Sequence, residues 1–547
     1  MREFLLSVGY DGWILPALLV IPLLGALAVM AGGRAAEGED EVLTGAANRP
    51  RLLAAITFAI EFVLSVGLWW AFDPAVAGWQ QHFDVRWIPS WGARFTLGLD
   101  GIAMMMVLLT TFIMLLSAIG SWTSVRQKTS SYYALLLVLT TGMLGVFMAL
   151  DLFLFYVMWE VMLVPMYFII GIWGGQRRIY ASLKFFIYTM IGSLLMLVGI
   201  IYLGLAASQP FLVNGAPVVI NGAVEMIPNF SYDAIMAQVQ LTPQAGMWLF
   251  GAFFLAFAVK VPMFPFHTWL PDAHVEAPTA GSVVLAAIML KLGTFGFIRL
   301  AVPLFPGAAM DPTVRMIILV LAVIGIVYGA LVSLVQPDFK KLVAYSSVSH
   351  LGFVMLGIFA LTVQSVQGAL MVMISHGLST GALFFLIGMI YERRHTRLIE
   401  DYGGIARVVP MFAAVLTLVA LSSIGVPGTN GFIGEFLVLL GAYRTFPILS
   451  LIAATSVIIA AAYLLWAIQR ILFNALDKPV NEHVPDLNRR ELLLMAPLVA
   501  GIIWLGVYPA PVLRRMQPAA EQFVRIVETR AAMSMAGAPS APGREDR

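Results

Sequence analysis

The stretch that decides the fold is an apolar run with a lysine and two prolines in its middle: Phe253-Phe-Leu-Ala-Phe-Ala-Val-Lys260-Val-Pro262-Met-Phe-Pro265-Phe-His267-Thr-Trp269. A run of about 20 apolar residues is long enough to cross a bilayer as a helix. Proline interrupts helical hydrogen bonding, and broken backbone at membrane depth is stable only where protein or a water-filled cavity surrounds it. The stretch therefore predicts a discontinuous membrane helix beside a polar pathway.

The composition places the whole chain in a lipid bilayer. Of its 547 residues, 60% are hydrophobic and only 11% are charged, and the mean hydropathy is +0.90. Soluble domains carry roughly a quarter charged residues. The net charge of +2 gives no electrostatic basis for a nucleic-acid partner. The absence of cysteine excludes disulfides, thiolate-bound iron–sulfur clusters and Cys-type zinc sites, so we expect no metal and no cofactor in this chain.

Fourteen apolar stretches predict an all-α polytopic membrane protein with about 14 transmembrane helices. We number them as spans 1 to 14: 13–32, 52–72, 99–122, 131–150, 152–173, 181–206, 245–266, 278–301, 313–335, 340–362, 366–391, 410–443, 447–472 and 491–514. Span 12 would be about 50 Å long as one helix, at 1.5 Å per residue, which exceeds the bilayer. Because it contains Gly425-Val-Pro427-Gly428, we expect it to be broken like span 7.

The positive residues orient the bundle. Loops that follow odd-numbered spans hold seventeen lysines and arginines, whereas loops that follow even-numbered spans hold four. Positive loops stay in the cytoplasm, so both termini should lie on the outer side. Arginine-rich, lysine-poor usage, with Arg at twenty-five positions and Lys at seven, favours a bacterial plasma membrane.

The two broken spans predict an internal repeat. Each is the fourth helix in a block of five, spans 4–8 and 9–13, and an odd number of helices makes the blocks opposite in orientation. Such inverted repeats with discontinuous helices place their ion sites near the breaks. We therefore divide the chain into a three-helix segment (1–122), two five-helix repeats (123–302 and 303–475), and a C-terminal helix with a polar tail (476–547).

Six ionisable residues stand out at central positions in the spans: Glu160, Lys260, Lys291, His350, His376 and Glu435. Each charged residue at mid-membrane costs at least about 2.5–3.5 kcal/mol, so each needs a reason. Two of only seven lysines occupy such positions. Arginine keeps its proton in proteins, whereas lysine can release one, and histidine titrates near neutral pH. The set therefore predicts a proton relay.

Structural roles for these residues stay open at this point. Glu160 and Lys260 could form a static buried ion pair, and Lys291 could hold backbone carbonyls. His350 and His376 could be hydrogen-bonded core histidines. Glu435 could contact a neighbouring subunit.

Four stretches resemble the M-type antiporter-like subunits of respiratory complex I. They are Trp159-Glu160 to Gly175, Lys260 to Ser282, Lys340 to Gly352 and Ser375-His376-Gly377, and the resemblance extends from about residue 95 to about residue 511. In the L and N types, helix 12 has a lysine where this chain has Glu435. L-type chains also continue into a long lateral helix, whereas here only a polar tail is expected after Arg515.

The resemblance implies a role for each matched residue. Glu160 would modulate Lys260, the central carrier; Lys291, His350 and His376 would pass the proton on; and Glu435 would be the terminal carrier. His267, Pro262 and Pro427 would support the broken helices.

The resemblance also implies the partners. They would be the other membrane-arm subunits, including the L and N types. FMN, iron–sulfur clusters and quinone would be held by other subunits. This chain would be a non-redox subunit of a proton-pumping NADH:quinone oxidoreductase. The alternative is a subunit of an Mrp-type cation/proton antiporter, for which a lysine is expected in helix 12.

Overall fold

The computed structural model describes residues 1–33, 48–213, 216–220 and 223–536. In these ranges twelve helices are long and apolar enough to cross a membrane. Their bounds are Tyr10–Gly33, Asn48–Val66 continued by Leu68–Ala71, Gly101–Gly120, Thr129–Met148, Leu152–Trp173, Arg178–Ala206, Thr279–Leu304, Pro312–Leu334, Phe339–Ala360, Val363–Arg394, Pro447–Ile468 continued to Phe473, and Arg489–Val507. A short helix, Arg2–Ser7, precedes them.

Spans 7 and 12 are interrupted where the sequence predicts. The first helix of span 7, Pro243–Lys260, ends at the lysine, and a short helix, Trp269–Glu276, follows after eight non-helical residues. Span 12 consists of Pro410–Ile424 and Asn430–Tyr443. Gly425 ends the first of these with φ +84, a left-handed conformation that glycine adopts without strain.

Two further irregularities lie in helices that the sequence predicts to be continuous. Span 5 consists of Leu152–Val161 and Leu163–Trp173, so its helical ladder is interrupted just after Glu160. Span 8 contains two π-helical turns, Leu285–Met289 and Phe297–Ala301, one on either side of Lys291. Pro165 in span 5 has no N–H to donate to the Val161 carbonyl, so the sequence held a signal for the first irregularity. No proline lies between Leu285 and Ala301 of span 8, which explains why the sequence does not reveal the second.

The ends of the spans form two faces with different contents. On one, which we call the hairpin face, the strands Gln80–Ile88 and Ala93–Leu99 pair antiparallel. Arg94 forms an ion pair with Asp84 across the hairpin and lowers the pKa of that carboxyl. The same face holds three two-residue strand pairs, 209–210 with 226–227, 212–213 with 216–217 and 219–220 with 223–224, and the helix Tyr232–Gln238.

The opposite face, which we call the basic face, is tied together by cations. Arg51 donates to the Val125 carbonyl (2.9 Å), and Arg393 donates to both oxygens of Glu491 (2.9 and 2.6 Å). These contacts join loops that all follow odd-numbered spans. The predicted alternation of loops between two faces is therefore reflected in the packing.

The polar tail predicted after span 14 forms a helix over its described part. Span 14 ends at Val507 rather than at 514, and a second helix, Ala510–Ala536, follows. Apolar residues at 512, 516, 520, 523 and 527 are buried along one side of it, a helical spacing that the polar average conceals. Arg515 stacks on Trp69 (3.7 Å), and Arg530 donates to the Met236 carbonyl, so the helix lies on the hairpin face. Residues 537–547, and the loop 34–47 after span 1, lie outside the described chain.

Burial singles out the centre of the bundle. In the most apolar 18 residues of Thr279–Leu304, Phe339–Ala360 and Val363–Arg394, 94%, 94% and 100% of the residues are buried. The corresponding share for the helix Pro447–Phe473 is 28%. The three buried helices carry Lys291, His350 and His376. Three of the six predicted relay residues therefore lie on the helices that are most shielded from lipid.

Candidate functional site

Lys291 and His376 form the first contact of the site. Lys291 Nζ lies 2.6 Å from His376 Nδ1 and donates to the Ala286 carbonyl at 2.5 Å. The lysine is fully buried and the histidine is 4% exposed. Ala286 belongs to the π-helical turn before Lys291, where the wider backbone changes the helical hydrogen-bond pattern. The irregular turn therefore supplies an acceptor for the lysine inside its own helix.

His350 and Glu435 form the second contact. His350 Nδ1 lies 2.8 Å from Glu435 Oε1, and both side chains are about 10% exposed. The rings of His350 and His376 are 5.5 Å apart between centroids. Lys291, His376, His350 and Glu435 therefore form a row across spans 8, 11, 10 and 12, with hydrogen-bond distances at its two ends and a contact between two rings in its middle.

A small cavity lies beside this row. It measures about 20 Å³, room for about one water molecule. Among the described residues, His376 Nε2 and Ser423 Oγ, both of which belong to residues that line it, have no protein partner. The other residues that line the cavity are His350, Val372, Ser375, Ser379, Thr380, Ser422, Gly431 and Glu435. A water there would find the polar partners that a buried water needs.

Asn430 shapes one side of this cavity, and sequence reasoning did not assign it a role. Its Oδ1 accepts from Ser379 Oγ (3.1 Å) and Ser422 Oγ (2.5 Å), and its carbonyl accepts from Ser375 Oγ (2.9 Å). It is the first residue after the break in span 12. An asparagine side chain is unusual in so apolar a span, and this was the sequence signal that could have identified Asn430.

Lys260 and Glu160 are not paired in this conformation. Lys260 is fully buried, and its Nζ has no hydrogen-bond partner in the described chain; Glu160 Oε1 likewise has none. The ammonium instead lies over the rings of Trp159 (5.5 Å) and Phe185 (5.3 Å). The faces of aromatic rings attract a cation, but unlike a carboxylate they do not take up its proton. The Trp269 indole donates to the Val259 carbonyl (2.8 Å) and so fixes the end of the helix at Lys260.

The three predicted supporting residues do not join the row. The His267 ring packs against Phe264 (5.8 Å) and Tyr328 (5.1 Å) and is nearly buried. Pro262 lies in the turn that follows Lys260, and Pro427 lies exposed in the turn that breaks span 12. Their roles in shaping the breaks stay predictions.

His274 is a second residue to which sequence reasoning gave no role. It is fully buried, its ring stacks on Phe384 (4.8 Å), and neither ring nitrogen has a partner in the part of the chain that the structure describes. Lys340 Nζ donates to the Ala277 carbonyl (2.6 Å), at the end of the short helix that carries His274. A sequence signal was available, because His274 lies only seven residues after His267 in the stretch Lys260 to Ser282 that resembles the M-type subunits.

A larger cavity opens on the basic face, at the end of the short helix that carries His274. It measures about 380 Å³, and its lining includes the titratable residues Lys340, Glu276, Glu392 and His395. Such a cavity has room for many waters. No group of three histidine, aspartate or glutamate side chains suited to a metal occurs within the described ranges.

The comparisons with known proteins agree with the resemblance. The family model "NADH:quinone oxidoreductase/Mrp antiporter, TM" matches residues 149–460. NADH-quinone oxidoreductase subunit M of Rhodobacter capsulatus is 44% identical over 86% of this chain and 88% of its own length. The subunit of the same name from Pseudomonas aeruginosa is 42% identical over 91% of this chain and 95% of its own length.

Solved structures give the same result. A chain of respiratory complex I from Thermus thermophilus superposes with a TM-score of 0.81 at 30% identity, over 94% of this chain and 99% of that one. A chain of the Mrp complex from Dietzia superposes with a TM-score of 0.73 at 20% identity, over 95% of this chain and 56% of that one, which shows a shared fold alone. The chain therefore belongs to the NADH:quinone oxidoreductase/Mrp antiporter transmembrane family and, within it, to the M-subunit group of complex I.

Proposed function

We propose that this chain translocates protons as a non-redox membrane-arm subunit of NADH:quinone oxidoreductase. The observation that carries the proposal is the buried row Lys291–His376–His350–Glu435, with contacts of 2.6 Å and 2.8 Å on either side of the two histidine rings. Every member can bind and release a proton. A row of such groups on four different helices conducts protons across the middle of the bundle.

The chemistry of the row favours protons over sodium. Sodium resembles the hard cations that need a cage of oxygen ligands, whereas this row is made of nitrogen groups and a single carboxylate. The histidine and lysine side chains would repel a metal cation when they are protonated. Protons are therefore the species that this arrangement suits.

The cavity on the basic face supplies the row. Protons enter through its water, pass Lys340 and His274, and reach Lys291. His274 has no partner in the described chain and lies between the two lysines in this scheme. This assignment extends the predicted relay by two residues.

Glu160 and Lys260 form the control point of the scheme. When Glu160 approaches Lys260, the two charges attract, and when it withdraws, the lysine is left with aromatic neighbours. At 4 Å and an effective dielectric of 20, such an attraction is about 4 kcal/mol. The interruption of span 5 directly after Glu160 gives that side chain a place to move.

The partners and the location of the chain are part of the same proposal. The relatives are named as subunits of NADH-quinone oxidoreductase, which supports our placing FMN, iron–sulfur clusters and quinone in other subunits of the complex. L- and N-type subunits and lipid border this chain in a bacterial plasma membrane. The basic face points to the cytoplasm, and both termini lie on the outer side.

An Mrp-type antiporter subunit is the less supported alternative. The Mrp structure shares the fold at only 20% identity, whereas subunits M are 42–44% identical. The acidic residue at Glu435, where a lysine is expected in that class, also favours the complex I assignment.

Proton pumping by assembled mutant complexes tests the proposal. In inside-out vesicles, Lys260→Ala, Glu160→Gln and Glu435→Gln should each remove most NADH-driven proton transport while the complex still assembles. Lys478→Ala, which changes a lysine in a basic-face loop, is the matched control and should pump normally. Normal pumping by any assembled relay variant contradicts the role of that residue, and normal pumping by all three overturns the proposal.

A further inference from the structure

A buried ion pair lies at the end of span 8 on the hairpin face. Arg299 Nη2 is 2.8 Å from Asp100 Oδ1, with 11% and 8% of the two side chains exposed. Asp100 also caps the helix Gly101–Gly120, because its Oδ1 accepts from Ala103 N at 2.8 Å. The pair therefore joins the end of span 8 to the beginning of span 3.

Aromatic rings enclose the guanidinium. Arg299 lies 4.6 Å from the centre of the Trp79 ring and 5.0 Å from that of Phe295. The Trp79 indole in turn donates to Asp233 Oδ1 (3.2 Å), which ties the cover to the helix Tyr232–Gln238. This packing leaves little room for water around the charge.

The pair is on the same helix as Lys291, eight residues further along. At 1.5 Å per residue the two cations are about 12 Å apart along the axis. The side chains between them include Phe295, Phe297 and Ile298, which are all nearly or fully buried. At its other end, toward the basic face, span 8 begins at Thr279, which lines the cavity of about 380 Å³. The two ends of span 8 therefore differ, because one lines a cavity and the other is closed by the ion pair.

We infer that the Asp100–Arg299 pair is a proton barrier that prevents exchange between Lys291 and the hairpin face along span 8. Arginine does not release its proton in proteins, so it cannot serve as a stage of a relay. A fixed cation also repels an approaching proton, as arginines do in channels that exclude protons. This inference rests on the proposed function, because a barrier matters only if Lys291 carries protons.

The barrier makes Arg299 a residue that sets the direction of transport. Protons that reach Lys291 from the basic face have no outlet along span 8 and must continue to His376. Protons on the hairpin face cannot return by this route when the membrane is energised. Loss of the cation should therefore produce a leak rather than a loss of electron transfer.

Passive proton leak through the reconstituted whole complex tests the inference. A pH gradient is imposed across proteoliposomes without NADH, and its decay is followed with a trapped pH-sensitive dye. Arg299→Gln should speed the decay several-fold, whereas NADH oxidation by the same complex should change little. Adding Lys291→Met to Arg299→Gln should remove the leak, because the route begins at that lysine.

Asp100→Asn is the decisive companion variant. It keeps the guanidinium, and asparagine still caps a helix, so these vesicles should stay tight. Arg315→Gln is the matched control: Arg315 donates to the Phe359 and Ala360 carbonyls (2.8 and 3.1 Å) on the same face, and its loss should not cause a leak.

Three results overturn the inference: a tight Arg299→Gln complex, an Asp100→Asn complex as leaky as Arg299→Gln, or a leak that persists without Lys291. The second would show that the pair only locks the two helices together. If the Arg299→Gln complex does not assemble, the proton leak of the Arg299→Met complex is compared with that of Asp100→Asn, and the same results decide the inference. If the proposed function is wrong, the result is different. The complexes with Lys260→Ala, Glu160→Gln or Glu435→Gln would then pump normally, whether or not the Arg299→Gln complex leaks protons.

Discussion

At the residue scale, the site depends on side chains whose polar atoms are buried without protein partners. Lys260 Nζ, both nitrogens of His274 and His376 Nε2 all belong to this group within the described chain. A buried polar group without a partner costs about 1–3 kcal/mol, so four such atoms are expensive. His376 lines the small cavity, and the residues that follow His274 line the large one, so waters or moving protons are the reason that fits these two histidines.

His274 offers the sharpest test at this scale. In His274→Phe the ring can still stack on Phe384, but it can no longer bind a proton. We expect proton transport per NADH to fall at least several-fold while NADH oxidation and assembly persist, measured in inside-out vesicles. His395→Asn is the control. His395 lines the cavity of about 380 Å³ on the basic face, and its φ of +52 is one that asparagine tolerates. Equal loss in both variants would contradict a specific role for His274.

At the element scale, interrupted helices position the site. The break in span 7 ends a helix at Lys260, and the π-helical turn in span 8 offers Ala286 O to Lys291. The break in span 12 places Asn430 where it accepts hydrogen bonds from three serines that line the small cavity. Irregular backbone at membrane depth persists only where polar surroundings satisfy it. Each irregularity here lies next to a titratable or hydrogen-bonding side chain, namely Lys260, Lys291 or Asn430.

Close packing of spans 11 and 12 fixes the position of Glu435, which follows Gly434 in the chain. A Cβ atom on Gly434 would lie 2.6 Å from Val372 N, which is too close for the two backbones to stay in place. We expect Gly434→Ala to displace the second half of span 12, lower pumping and reduce assembly of the complex. Gly251→Ala in span 7 is the control, because a Cβ there meets no atom within 4 Å. Pumping ratios and native-gel yields of the two variants provide the comparison, and equal values would contradict the packing argument.

At the scale of the whole molecule, the two faces differ in what they expose. The basic face carries the large cavity, whereas the hairpin face is covered by the strands, the helix Tyr232–Gln238 and the helix Ala510–Ala536. This difference matches a protein that takes up protons on one side only. The inverted repeat and the division at residues 122, 302 and 475 stay predictions.

The orientation of the two faces can be measured directly because the chain has no cysteine. Gln517→Cys lies on the exposed side of the C-terminal helix, and Lys478→Cys lies in a basic-face loop. A membrane-impermeant maleimide should label the first in intact spheroplasts and the second only in inverted vesicles. The reverse pattern would contradict the predicted topology and would place the large cavity on the outer side.

The sequence by itself determined the membrane class, the two broken helices and the six titratable positions, because each of these depends on local composition. Lysine, glutamate and proline are so unfavourable in an apolar span that their presence alone marks a site. Only the tertiary structure decided which of these residues meet. The contacts Lys291–His376 and His350–Glu435 each join residues 85 positions apart, and the ion pair Asp100–Arg299 joins two different helices. Such contacts depend on how the helices pack, and packing is set by many small surfaces at once, which no single stretch of the chain encodes.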